Sequence, residues 1–352
     1  MKVFAPTDLT LHDPPFEMVE GGRSVPYSDA PARVTRVLSA LGRTGWAQRC
    51  EAPKAADRDL YIGGVHDGEY VDFLRTAFAD YQREGAAYGL TLGPVLLPAI
   101  WPPRRPMARP QSLFARAGYH QIDLAAPIVA GTYAAACASV DCALAAADCV
   151  LAGDAAAFAV CRPPGHHAGR DFAAGFCYLN NAAIAAQRMR ARGRVAIVDI
   201  DYHAGHGTQD VFYRSADVLT VSLHADPAWE YPFFVGHAGE IGEGAGRGYH
   251  RNIPLPRGTD DARYLTALDA ALGDVRAFGP TALIVSAGMD IYRGDPIGQF
   301  AISPAGIAQI GARLAGLGLP TVWVMEGGYD SAELGDNFVR LLEPLSTRGG
   351  VR

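Results

Sequence analysis

Asp199, Asp201 and His203 stand at i, i+2 and i+4 after the apolar run VAIV, so an extended backbone would project all three to one side. Two carboxylates and an imidazole crowded together are costly without a compensating cation. The set suits a divalent metal such as zinc, with positions left open for water and substrate. Asp290, which ends another apolar run (LIVSAGM), is the candidate third protein ligand. Any one of these carboxylates alone reads more readily as a turn or helix-capping residue; their convergence on several strand ends favours the metal. His166 and His167 are adjacent and cannot both face one metal, but Pro163, Pro164 and Gly165 hold them on a stiff loop. That arrangement suits acid/base work, one imidazole taking a proton from a metal-activated water while carboxylates orient the pair. Tyr329 follows Gly327 and Gly328, whose backbone freedom can aim a phenol at a developing oxyanion. Without the metal motif, the histidine pair and the tyrosine would read as packed or surface residues.

Placing these groups together is the work of alternating elements. From about residue 128 onward, short β-branched or apolar runs alternate with helical patterns, the signature of an α/β protein with a central parallel sheet flanked by helices. The expected strands are Ala156 to Cys161, Arg194 to Ile200, Val218 to Leu223, Ala282 to Ser286 and Thr321 to Met325. Leu265, Leu268, Leu272 and Val275 recur at helical spacing, as do Ile307, Ile310, Leu314 and Leu317. In such sheets ligands bind beyond the carboxyl ends of the strands. The residues there are polar: Arg162 to His167, Asp199 to His203, His224, Asp290, and Glu326 to Tyr329.

One domain over residues 1–345 is expected, with a proline-rich insertion at about 85–120 and a short tail at 346–352. Gly93 to Pro110 carries six prolines in eighteen residues, which excludes regular helix or central strand. Its apolar side chains (Val95, Leu96, Leu97, Ile100, Trp101) need burial that an isolated loop cannot provide, so a homodimer packed through this loop is expected.

The chain has 352 residues, 49% hydrophobic and 19% charged, the profile of a globular protein with a large core. Its 31 basic and 37 acidic residues give a net charge of −6, so no strong positive field exists to capture nucleic acid or an anionic membrane. No stretch is expected to reach the ~20 apolar residues of a membrane span, and MKVFAPTDLTLHDPP lacks the apolar core of a signal peptide. A cytoplasmic location is therefore expected. Six cysteines without a CxxC pair suggest neither a disulfide framework nor a thiolate zinc site. Cys137, Cys142 and Cys149 lie in an alanine-rich helical stretch and read as buried apolar residues.

The segments RPPGHH (162–167), GFCYLNN (175–181), DIDYHAGHGTQDVFY (199–213), VSLH (221–224), SAGMD (286–290) and EGGY (326–329) resemble, in order, those of the histone deacetylase superfamily. The similarity is greatest to its bacterial acetylpolyamine amidohydrolase branch and extends to VHDGEYVDFL (65–74). The resemblance implies the arginase/deacetylase α/β fold and a zinc-dependent amidohydrolase, with Zn²⁺ or Fe²⁺ held by Asp201, His203 and Asp290. It implies His166 and His167 as the tandem histidines, His167 as principal proton shuttle and Tyr329 as carbonyl polariser. It further implies a structural K⁺ held partly by Asp199, Asp201 and carbonyls around Ser222, and an acyl tunnel flanked by Gly175, Phe176 and Phe234. The matching loop of that branch helps form a dimer, which adds weight to the homodimer.

The chain departs from the pattern at two places. A second histidine and an orienting Asp or Asn are commonly found where Ala204 and His206 stand, and an imidazole at 206 supplies no fixed negative charge to His167. The branch also places carboxylates near the tunnel mouth, where an ungapped match puts Phe114 and Ala126; Asp123, Glu17 and Asp8 are the acidic residues able to compensate. The expected activity is removal of acetyl or a short acyl group from a small acylated amine. The competing readings are an acetyl-lysine peptide deacetylase, a dinuclear-metal ureohydrolase, which Ser286 to Pro296 faintly suggests, and a non-catalytic acyl-amine binding protein.

Overall fold

A computed structural model describes residues 1–19, 22–103 and 109–349. In chain order its elements begin with β1 (Lys2–Phe4), β2 (Glu17–Val19), β3 (Arg23–Val25), α1 (Ala32–Gly42), β4 (Gln48–Cys50), α2 (Arg58–Val65) and α3 (Gly68–Ala87). Next come α4 (Leu113–His120), α5 (Thr132–Leu151), β5 (Ala156–Ala159), α6 (Asn181–Met189), β6 (Val195–Asp199), α7 (His206–Phe212) and β7 (Val218–Ala225). The chain continues through β8 (His250–Leu255), α8 (Asp261–Phe278), β9 (Ala282–Ala287), α9 (Pro304–Ala315), β10 (Thr321–Met325) and α10 (Leu334–Leu342).

Eight strands form one sheet in the order β4-β1-β5-β10-β9-β6-β7-β8, every neighbouring pair parallel. The central strands are buried on both faces, and alternate residues of each enter different cores. Val198, Val285 and Trp323 pack with α1, α8, α9 and α10 on one face; Ile197, Ile284 and Val324 pack with α2, α3, α5 and α6 on the other. All five expected strands are present. The three that composition did not reveal, β1, β4 and β8, are short or polar, and β4 and β8 close the two edges. A strand covered on one side carries Gln48, Arg49, Arg251 and even Pro254 without cost, because those positions do not face two cores. Leu265, Leu268, Leu272 and Val275 all turn inward on α8; α9 buries Ile307, Ile310 and Leu314 but ends before Leu317.

Helix α5 corrects one expectation. By length and composition it is apolar enough to cross a membrane, yet about two thirds of that stretch is buried inside the protein. Its buried Asp141 accepts from Arg58 and from the Ala55 amide, and Cys137 and Cys142 lie buried on it with Cys149 partly exposed.

The described part of the proline-rich segment is irregular, as expected, save for a bridge between Leu96 and Ile128. Val95 and Leu96 find their burial within the chain itself, so the argument that every apolar residue of the loop needs a partner subunit does not hold for them. Ile100 is 64% and Trp101 42% exposed, although the Trp101 indole donates to the Gln121 carbonyl. Residues 104–108 of this loop lie outside the described residues. Residues 343–349 form a 3-10 helix that takes in the first four residues of the expected tail, and residues 350–352 lie outside the described ones.

Candidate active site

Four contiguous central strands, β5, β10, β9 and β6, deliver the chemical groups at their carboxyl ends. The tandem histidines follow β5, Glu326 to Tyr329 follow β10, Asp290 follows β9, and Asp199 to His203 follow β6.

Asp201, His203 and Asp290 converge: their ligand atoms all lie within 4.8 Å of one another. His203 Nδ1 is 3.1 Å from Asp290 Oδ2 and 3.4 Å from Asp201 Oδ1. Backbone amides fix the carboxylates, Tyr202 N donating to Asp290 Oδ1 and Gly327 N to Asp201 Oδ2. Burial and the neighbouring Asp201 push the Asp290 carboxyl up. For His203, burial opposes the charged ring, but Asp201 and Asp290 together push it up. Without a cation the cluster is thus driven to hold protons on Asp290 and His203 while Asp201 is favoured as the carboxylate; a divalent cation would satisfy all three, and one nitrogen with two oxygens is a donor set that fits zinc.

Asp199 does not join this group. Strand β6 stops at Asp199, whose Oδ1 accepts from the Asp201 amide, and the turn that follows sends its Oδ2 to His166 Nδ1 at 2.9 Å. The picture of three side chains on one side of an extended segment is therefore corrected: two converge on the metal position and the first orients a histidine.

The tandem histidines sit in opposite electrostatic surroundings. Burial opposes charge on His166, but Asp201 and Asp199 outweigh it and push the ring up to about 10. Glu326 Oε2 fixes its loop by accepting from the Gly165 and His166 amides. His167 is held well below the ordinary histidine value by burial, then by His166, His206 and His203. Its Nδ1 lies 3.1 Å from His206 Nδ1. His206, stacked on Phe172, is pushed down to about 3 by burial and by His166, so this partner is neutral. Two titratable groups driven apart in this way separate into a proton holder and a proton acceptor.

Tyr329 is buried, its amide donating to Asp295 Oδ2 and its ring lying between Phe176 and the Arg33 guanidinium. Burial, then Asp290, raises its phenol well above the usual range, so it remains a donor; its hydroxyl has no hydrogen-bond partner among the described residues. The two glycines before it act differently. Gly328 adopts φ +103°, whereas a Cβ on Gly327 would lie 2.5 Å from both Asp201 Oδ2 and Asp290 Oδ2.

A cavity of about 420 Å³ opens onto His167, His203 and Tyr329. Gly175 and Phe176 line it as expected, and Phe176 holds φ +68° with its amide donating to the Ala125 carbonyl. Phe234 does not line it. It is 81% exposed, because Tyr231 takes that wall: its hydroxyl donates to Asp123 Oδ2 and its ring packs on His167 at 5.0 Å. Phe114 packs on Tyr81 and Tyr88, Ala126 is fully buried, and neither reaches the cavity; Ala125 does. Of the three acidic residues able to compensate, Glu17 lines the cavity, Asp123 is committed to Tyr231 and the Gly175 amide, and Asp8 is exposed and bonded to Thr10. His224, at the end of β7, serves elsewhere, bridging Ser222 and the Gly236 carbonyl.

Sequence reasoning missed Tyr231, Arg33 and Asp295. Arg33 donates to Asp29 and to the carbonyls of Glu326 and Gly328, which clamps the loop that carries Tyr329. Its i,i+4 spacing from Asp29 is that of an ordinary local pair, and the carbonyls it clamps lie almost three hundred residues away; Asp295 was visible in the Ser286 to Pro296 segment without a role.

A parallel-sheet α/β fold with this Asp–His–Asp cluster, tandem histidines and tyrosine around one cavity defines a metal-dependent amidohydrolase of the deacetylase type. The chain belongs to the histone deacetylase family, whose domain model matches residues 27–345. That family is generally zinc-dependent, and its members hydrolyse amide bonds. Acetylpolyamine amidohydrolase 2 of Pseudomonas aeruginosa is 42% identical over 339 residues, 96% of each chain. The acetylpolyamine amidohydrolase of Mycoplana ramosa is 38% identical, covering 98% of this chain and all of its own. The crystal structure of acetylpolyamine aminohydrolase from Burkholderia pseudomallei superposes with a TM-score of 0.91 at 38% identity, covering 98% of both chains.

Proposed function

We propose that the chain is a zinc-dependent deacetylase of small acylated amines, with Fe²⁺ as an alternative ion, held by Asp201, His203 and Asp290. The observation that carries this reading is the meeting in one cavity of a neutral His167, a Tyr329 hydroxyl with no partner among the described residues and the His203 face of the Asp–His–Asp cluster. When bound, the ion polarises the amide carbonyl and makes a water more acidic. Tyr329 donates to the carbonyl oxygen as negative charge develops on it. His167 takes a proton from the attacking water, and His166, kept protonated by Asp199, supplies one to the departing amine. Gly175 and Phe176 enclose the acyl end. A structural K⁺ shared by Asp199, Asp201 and the Ser222 region is part of this reading, supported by Asp199 lying opposite Ser222 in the β6–β7 register.

The enzyme acts in the cytoplasm on small molecules; neither nucleic acid nor a membrane enters this reading. The exposed Ile100 and Trp101 support a homodimer through the 93–110 loop. Light scattering at micromolar concentration should give twice the chain mass, and a monomer there rules the dimer out.

A deacylation panel with zinc-loaded protein tests the substrate class, using acetylputrescine, a neutral amide of equal length and an acetyl-lysine peptide. Small amides should be cleaved and the peptide poorly; a marked preference for the peptide would make it a peptide deacetylase.

His206 offers a test of the proton assignments. In His206→Asp a carboxylate replaces a neutral ring beside His167 Nδ1, and a nearby negative charge favours the imidazolium, by about 1–3 pKa units at such distances. A base must be neutral to act, so raising its pKa moves the acid limb of kcat/KM to higher pH. An unmoved limb would remove His167 from that role.

A further inference from the structure

The β2–β3 hairpin forms one wall of the cavity, and it carries two charged side chains that the catalytic scheme leaves unused. The antiparallel register pairs Glu17 with Val25 and Val19 with Arg23. Glu17 and Arg23 are therefore diagonal neighbours on one face of the ribbon, about 7–8 Å apart at the backbone. Both line the cavity. Glu17 is 3% exposed; its Oε1 accepts from the amide and hydroxyl of Ser28, while Oε2 has no partner among the described residues. Burial pushes this carboxyl up, a shift that a cation bound to Oε2 would reverse. Arg23 is exposed and makes no hydrogen bond or ion pair among the described residues. Asp123 is already committed to Tyr231 and Gly175, and Ala125 brings no charge.

The wall thus offers one free carboxylate oxygen beside one free guanidinium, the complement of an ammonium and a carboxylate on the same carbon. We propose that the preferred substrate is an ω-N-acylated α-amino acid, its α-ammonium on Glu17 and its carboxylate on Arg23, with the acylated end directed toward His203 and Tyr329. This rests on the deacetylase reading above and names its substrate. The guanidinium fork matches a carboxylate in two-point geometry, and a polyamine would instead bring a like charge against it. In the hydrolysis the amide C–N bond breaks, the carbonyl carbon takes the water oxygen and the nitrogen takes a proton. The products are the carboxylate and the free diamino acid.

Nδ-acetylornithine and N-acetylputrescine differ only by the α-carboxylate, so their ratio of kcat/KM isolates Arg23. With the zinc-loaded full chain that ratio should be at least ~10-fold in favour of acetylornithine, about 1.4 kcal/mol. Arg23→Ala should bring it to about one or below, and Glu17→Gln should lower kcat/KM for both substrates. The products ornithine and putrescine, titrated calorimetrically, should bind in the same order and lose it in Arg23→Ala. A parent ratio below ~10, or one that Arg23→Ala leaves unchanged, overturns this assignment while turnover of acetylputrescine upholds the deacetylase. Turnover of neither compound overturns both.

Discussion

Asp290→Ala is expected to strip the metal from the protein and abolish turnover. Catalytic zinc sites keep only three protein ligands, so the loss of one leaves two, too few to hold the ion. Asp290 is also the ligand that no neighbour in sequence can replace: it comes from β9, whereas Asp201 and His203 share the turn after β6. Its Oδ1 additionally accepts from the Tyr202 amide, so the alanine variant loses roughly 1–3 kcal/mol of stability as that buried donor goes unpaired. Asp201→Ala and His203→Ala should behave alike. Metal content by mass spectrometry, read beside far-ultraviolet circular dichroism, separates metal loss from unfolding. Full metal content in a folded variant would show that the substituted residue is no ligand.

Tyr329→Phe is expected to keep metal and fold while lowering kcat by ~10²–10³, the usual loss for one oxyanion donor. The ring contacts with Phe176 and Arg33 survive the substitution, and only the hydroxyl disappears. His167→Ala should lose ~10²–10⁴ in the same step. Its fall in kcat should exceed any change in the inhibition constant of an unreactive analogue, because the imidazole acts on the proton of the water. Activity near that of the parent in His167→Ala would pass the base to His166.

Why the chemical groups were legible and the walls were not follows from where each is specified. Asp199, Asp201, His203, Asp290 and Tyr329 sit at the ends of apolar runs whose strand character composition dictates, so strand-end logic finds them. It does not say which way each turns, and Asp199 left the metal group because the strand stopped there. Edge strands such as β4, with Gln48 and Arg49, carry no apolar pattern because only one side is paired. The cavity wall depends on contacts far apart in sequence: Tyr231 reaches it through Asp123, and Phe234, three residues on, faces outward. Phe114 and Ala126 were misplaced for the same reason, since an ungapped match cannot say that Ala125 rather than its neighbour faces the cavity. The clamp that fixes Tyr329 runs from Arg33 to the Glu326 and Gly328 carbonyls across nearly the whole chain, and only its local pair with Asp29 leaves a spacing in the sequence.

Amide hydrolysis through the Asp201–His203–Asp290 site requires that activity follow the metal held there. Its most direct test is acetate release from N-acetylputrescine, measured on one preparation after chelation and again after zinc is restored in steps to one equivalent. The stripped protein should release no acetate and recover in proportion to zinc bound, and Asp290→Ala should release none under the same titration. Equal acetate release before and after chelation, with the metal shown to be gone, would contradict it.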